Sequence, residues 1–181
     1  MRIRILIVPG LNGSGPGHWQ TIWEEKYRCE HVHQRDWENP DLTQWVETLN
    51  TAATASSERT VIVAHSLGCL TVAHWAKAFP ENAEHIQCAL LVAPPDVESS
   101  LCIPEALRRF ASRESIPFPS ILVGSENDHH MTLETARKLA VQWGSCFINA
   151  GAVGHVNLDS GHGPWPQGEK LLMDIMKVSE K

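Results

Sequence analysis

The stretch TVIVAHSLGC, residues 60–69, is where strand and helix signals meet most abruptly. Thr60 to Ala64 is an apolar, β-branched run of strand length. From Leu67 to Phe79 apolar residues fall at helical spacing until Pro80 interrupts them. A His-Ser pair stands between the two patterns with no polar spacer, so the chain must turn from strand to helix at Ser66. Ala64 and Gly68, two places before and two after, are nearly bare. Strand and helix approach closely around such a turn, and only small residues leave room for it. Ser66 either caps the helix or is presented as a nucleophile at a helix start, where backbone N–H groups favour negative charge.

Outward from this stretch, strand signals recur at 4–8, 29–34, 88–93, 119–124 and 146–150. Helical patterns lie between them at 16–27, 41–54, 132–143 and 166–179, with Asp41 and Thr132 as N-caps. The segment 94–118 is irregular, with a short helix expected around PEALRRFA. Val-, Ile- and Leu-rich strands alternating with amphipathic helices predict an α/β fold. Its form is a Rossmann-like three-layer sandwich, a parallel sheet of about six strands covered on both faces. No linker or repeat divides the chain, so residues 1–181 are expected to form one domain.

Composition narrows the function. The net charge of −6 offers no basic footprint for nucleic acid. No apolar run reaches membrane-spanning length, and the run in MRIRILIVPG breaks at Pro9-Gly10, as a first strand and not a signal peptide would. Five scattered cysteines, Cys29, Cys69, Cys88, Cys102 and Cys146, with no CxxC pair, point to a reduced, cytoplasmic protein.

With Ser66 on a strand–turn–helix, A-H-S-L-G is a variant of the G-x-S-x-G nucleophile elbow of α/β-hydrolases. A serine nucleophile needs a base and an acid to orient it, in the chain order Ser, acid, His for this fold. Of ten histidines, His155 and His162 follow the last strand. His155, on the small-residue loop NAGAVGHV, is the favoured base. Asp128 in GSENDHH, after strand 119–124, is the favoured acid, with Glu126 nearby and Asp96 in reserve. The oxyanion hole calls for the backbone N–H of Leu67 and a second from PGLNGSG, at Leu11 or Asn12. That glycine-rich loop lacks the dinucleotide and Walker spacings, so no phosphate cofactor is expected. His18, Trp19 and Trp165 are candidates for lining the site. HVH (31–33) and DHH (128–130) offer only a weak metal signal, and no metal or other cofactor is predicted.

Five blocks carry a resemblance: VPGLNGSGPGHWQTIWE, DWENPDLTQWVETL, VIVAHSLGC, GSENDHH and GHVNLDSGHGPWPQG. In this order they resemble the bacterial, YdeN-like branch of the retinoblastoma-binding protein 9 family of small serine hydrolases. The resemblance covers nearly the whole chain. It implies a compact α/β-hydrolase core lacking the first two strands and without a cap domain, and Ser66, Asp128 and His155 as a catalytic triad. The expected activity is hydrolysis of small carboxylic esters, with no nucleic-acid or membrane partner. The alternative is a binding protein that keeps the triad with little turnover. Retinoblastoma binding does not carry over, because LCIPE (101–105) lacks the L-x-C-x-E spacing.

Overall fold

The computed structural model of the protein describes residues 3–99 and 103–179. Leu101 and Cys102 of LCIPE lie outside the described residues. Six strands form one all-parallel sheet: β1 (Arg4–Val8), β2 (Glu30–His31), β3 (Thr60–His65), β4 (Ile86–Val92), β5 (Ser120–Gly124) and β6 (Cys146–Asn149). Their spatial order is β2-β1-β3-β4-β5-β6. The helices are α1 (Trp19–Tyr27), α2 (Leu42–Thr54), α3 (Leu67–Ala78), α4 (Pro80–Ala83), α5 (Leu133–Trp143) and α6 (Pro166–Val178). This is the α/β-hydrolase core.

Alternation along the strands builds two apolar faces. Leu6, Val8, Ile62, Ala64, Leu91 and Leu122 pack with residues of α2, α3 and α5 on one side. Ile7, Val61, Val63, Leu90, Val92 and Val123 pack with residues of α1 and α6 on the other. The central strands β3 and β4 are buried on both faces because helices cover both.

Strand order reverses beside β1: β2 lies on one side and β3 on the other. Ligand sites of open parallel sheets form at the carboxyl ends of the strands at such a switch point. Here the loop after β1 meets the turn after β3. The approach is tight: a Cβ on Gly68 would lie 2.3 Å from the Val8 carbonyl oxygen and 2.6 Å from that of Pro9.

The edges differ from the sequence expectations. β2 spans two residues instead of 29–34, since an edge strand is paired on one side only. Helix α1 begins at Trp19 and not at 16, with the His18 imidazole as its cap. Helix α3 ends at Ala78, ahead of Pro80 as expected, but Pro80 then opens a further short helix. It occupies the first position of α4, where a missing N–H costs nothing. A 3₁₀ helix covers Glu105–Phe110 within the irregular segment. Asp41 and Thr132 cap α2 and α5 through side-chain oxygens.

Candidate active site

Ser66 leaves β3 with φ 53° and ψ −126°, a conformation that L-residues avoid. Its side chain makes no capping bond to α3, which argues against a capping role. The turn is instead fixed through the backbone: Ser66 N–H donates to the Val92 carbonyl at 2.9 Å. Gly10 closes over it from the β1 loop, where a Cβ would lie 2.7 Å from Ser66 Cβ. A strained serine held this way shows its hydroxyl above the sheet.

The structure brings Ser66, His155 and Asp128 together. Nε2 of His155 lies 2.9 Å from Ser66 Oγ. Its Nδ1 lies 2.9 Å from Asp128 Oδ2 and 3.1 Å from Oδ1. The Asp128 side chain is 2% exposed and also accepts the His130 backbone N–H at 2.9 Å. The competing candidates lie elsewhere. His162 contacts Ser160 Oγ at 3.2 Å and borders a neighbouring cleft that shares His155 but not Ser66. Asp96 accepts the backbone N–H groups of Glu98 and Ser99. Glu126 holds Asn149 Nδ2 at 2.8 Å.

A cleft of about 460 Å³ opens beside Ser66. Its walls come from the β1 loop (Leu11, Asn12, Ser14, Gly15, with His18), from Pro95, Ile103, Pro104 and Leu107, and from Asn157, Leu158 and Asp159 beyond His155. Asn12 N–H is turned toward the Trp37 carbonyl at 3.4 Å. The N–H groups of Leu11 and Leu67 have no acceptor among the described residues, that of Leu67 because it opens a helix.

Trp19 and Trp165 do not line this cleft, contrary to expectation. Both are buried among α1, α6 and Trp23, with ring centroids of Trp19 and Trp165 5.1 Å apart. A Trp at helical spacing reads equally as core and as wall, and here the core wins. The sequence reading missed His65 and His130, which line the cleft beside His155, with centroid separations of 5.0 and 4.7 Å. His65 was legible as the residue before the serine, but only the fold shows that it faces inward. His31 and His33 stack on each other at 4.5 Å, and His31 Nδ1 meets Glu24 at 3.0 Å. Among the described residues no group of three His, Cys, Asp or Glu side chains is placed to hold a metal ion.

Burial, followed by the charge His155 would carry, pushes His18 down to about 4. His65 is held well below the usual histidine range by burial first and His155 second. Neutral His18 also accepts the Gln20 N–H through Nδ1, which its cation could not do. The unfolded chain takes up this proton near pH 6.5, before the folded protein does. Stability conferred by neutral His18 is therefore present above about pH 6.5 and is lost as pH falls toward about 4. The loss is about 3 kcal/mol. His18→Asn keeps a capping oxygen. Its urea unfolding free energy is expected to fall less than wild type by about that amount between pH 6.5 and 4. Parallel pH dependence of the two proteins would refute the assignment.

A family model described as serine hydrolase matches residues 5–174. A solved protein of Pectobacterium atrosepticum described as a YdeN-like hydrolase is 27% identical, with a TM-score of 0.85, covering 98% of this chain and 92% of that one. The ydeN gene product of B. subtilis is 20% identical, with a TM-score of 0.80 over 97% and 100%. The monoacylglycerol lipase of Paleococcus ferrophilus shares the fold at 14% identity, with a TM-score of 0.66 over 97% and 93%. No curated protein matches. No helix among the described residues is long and apolar enough to cross a membrane. The family match spans the elbow, the loop bearing Asp128 and the His155 loop alike, and the chain belongs to the serine hydrolase family, with the fold of its YdeN-like α/β-hydrolases.

Proposed function

We propose that the protein hydrolyses small, uncharged carboxylic esters through an acyl-enzyme. The observation that carries this is the continuous chain Ser66 Oγ–His155–Asp128, with links of 2.9 Å, built on the strained turn after β3. Ser66 attacks the ester carbonyl while His155 Nε2 takes its proton. His155 then returns the proton to the leaving alkoxide. A water molecule repeats the sequence to release the acid. Asp128 holds the Nδ1–H tautomer and stabilises the imidazolium. Leu67 and Leu11 N–H groups receive the oxyanion; Asn12 is the poorer donor because its N–H already points at Trp37.

The lining supports the substrate class. Pro95, Ile103, Pro104 and Leu107 line the cleft with apolar surface, and Leu11 and Leu158 stand among the polar Asn12, Ser14, Asn157 and Asp159. Among the described residues it has no lysine or arginine, and His18 and His65 are neutral at pH 7. A carboxylate or phosphate on the substrate would find no counter-charge there, only Asp159. A cleft of about 460 Å³ whose apolar side chains are interspersed with polar ones gives little transition-state binding to a long acyl chain.

The test is a panel of p-nitrophenyl esters together with a fluorophosphonate probe, on wild type and Ser66→Ala. kcat/KM is expected to be highest from acetate to butyrate and to fall with longer chains. It should lie near or below about 10⁴ M⁻¹s⁻¹, the lower end of the usual range, because such esters are surrogates. The probe should label Ser66 and nothing in the variant. Faster turnover of laurate than of butyrate would refute the small-acyl reading. Labelling of Ser66 without turnover of any ester would favour the triad-retaining binding protein.

A further inference from the structure

The chain between β6 and Asn157 carries His155 through a run of left-handed turns: φ is 81° at Gly151, 62° at Gly154 and 50° at Val156. For a β-branched residue a positive φ is a genuine outlier, and it persists only where the surroundings over-determine it. Val156 is fully buried, so its side chain anchors the loop to the core. The two carbonyls at this point are held as well. The Val156 carbonyl accepts the indole Nε1–H of Trp19 at 2.8 Å. The carbonyl of His155 itself accepts Nε2–H of His65 at 2.9 Å.

The two donors come from rigid ground. Trp19 opens α1 and is wedged between Trp23 and Trp165, with centroids at 4.7 and 5.1 Å. His65 ends β3 and is covalently joined to Ser66. Its ring meets that of Trp19 edge-on, at 5.9 Å and 90°.

Resting on the triad reading above, we propose that Trp19 and His65 are positioning residues: a buried pair of N–H donors that grips consecutive carbonyls of the His155 loop and holds the base at hydrogen-bonding distance from Ser66. Residue 65 thus ties the strand end that carries the nucleophile to the loop that carries the base. A loop freed from this grip can relax Val156 toward negative φ and carry the imidazole away from Ser66 Oγ. Small displacements of a reacting group are costly in rate.

Trp19→Phe tests this, because it keeps the ring in its cluster and deletes only the N–H. Its kcat on p-nitrophenyl acetate is expected to fall about 10-fold or more with KM nearly unchanged, and the fluorophosphonate labelling rate to fall in parallel. In a His155→Ala background the same substitution should change the residual rate less than about twofold, since the grip acts through His155. His65→Leu removes the second donor, and His65→Gln, which restores an N–H, should recover most of what leucine loses. The His65 pair carries the test should Trp19→Phe fail to fold. A folded Trp19→Phe with wild-type kcat, an equal loss in both backgrounds, or a change confined to KM would overturn the proposal. Wild type that neither turns over ester nor takes the probe would instead overturn the triad reading beneath it.

Discussion

His155→Ala is expected to lower kcat by about 10³-fold or more, whereas His162→Ala should leave most of the turnover. Both histidines follow β6, and both sit in a stretch of glycines and polar residues. Geometry separates them. His155 offers Nε2 to Ser66 Oγ at 2.9 Å and Nδ1 to Asp128 at 2.9 Å, so one ring can move a proton and be steadied while it is charged. His162 hydrogen-bonds Ser160, within a turn closed by Asn157 and Ser160, and its ring meets Trp165 edge-on. Ser66→Ala should lose as much as His155→Ala, and the double variant little more, because residues acting as one unit are not additive. Steady-state rates on butyrate ester decide the matter. Turnover that survives His155→Ala but not His162→Ala would mean that the base is His162.

The parts of this site that were legible in the sequence are those fixed by local chemistry. A buried strand that runs into a helix through His-Ser, flanked by Ala64 and Gly68, admits few conformations. Once that turn is read as a nucleophile elbow, the α/β-hydrolase pattern supplies the order of serine, acid and histidine. Asp128 and His155 could be placed because each follows a strand on a short loop. What stayed hidden depends on contacts across the sheet. Trp19 and Trp165 lie near the site in sequence terms, yet periodicity cannot tell a wall from a core, and both went to the core. His65 is an unremarked position in the A-x-S motif until β3 and the His155 loop are seen to touch. Nor could sequence show that the Asn12 N–H is engaged, since its acceptor is the carbonyl of Trp37, 25 residues further on.

Gly68→Ala is expected to destabilise the fold by about 3 kcal/mol or more, beyond the usual cost of overpacking. Glycine normally weakens a helix by about 1 kcal/mol relative to alanine, so propensity alone predicts the opposite sign. Sterics decide against propensity here. An added Cβ would stand 2.3 Å from the Val8 oxygen, 2.6 Å from the Pro9 oxygen and 3.0 Å from the Pro9 carbonyl carbon. These are backbone atoms at the end of β1, itself paired with β3 from Arg4–Thr60 to Val8–Ala64. They cannot swing aside as the tip of a side chain could, so α3 or the β1 loop must shift. Either movement carries Leu67 N–H away from Leu11 N–H, and activity should fall with stability. Gly15→Ala is the matched control, because nothing lies within 4 Å of its added Cβ and its φ is not positive. Its urea unfolding free energy should stay within about 0.5 kcal/mol of wild type or rise slightly. Equal midpoints for Gly68→Ala and Gly15→Ala would show that strand and helix do not approach as closely as the elbow requires.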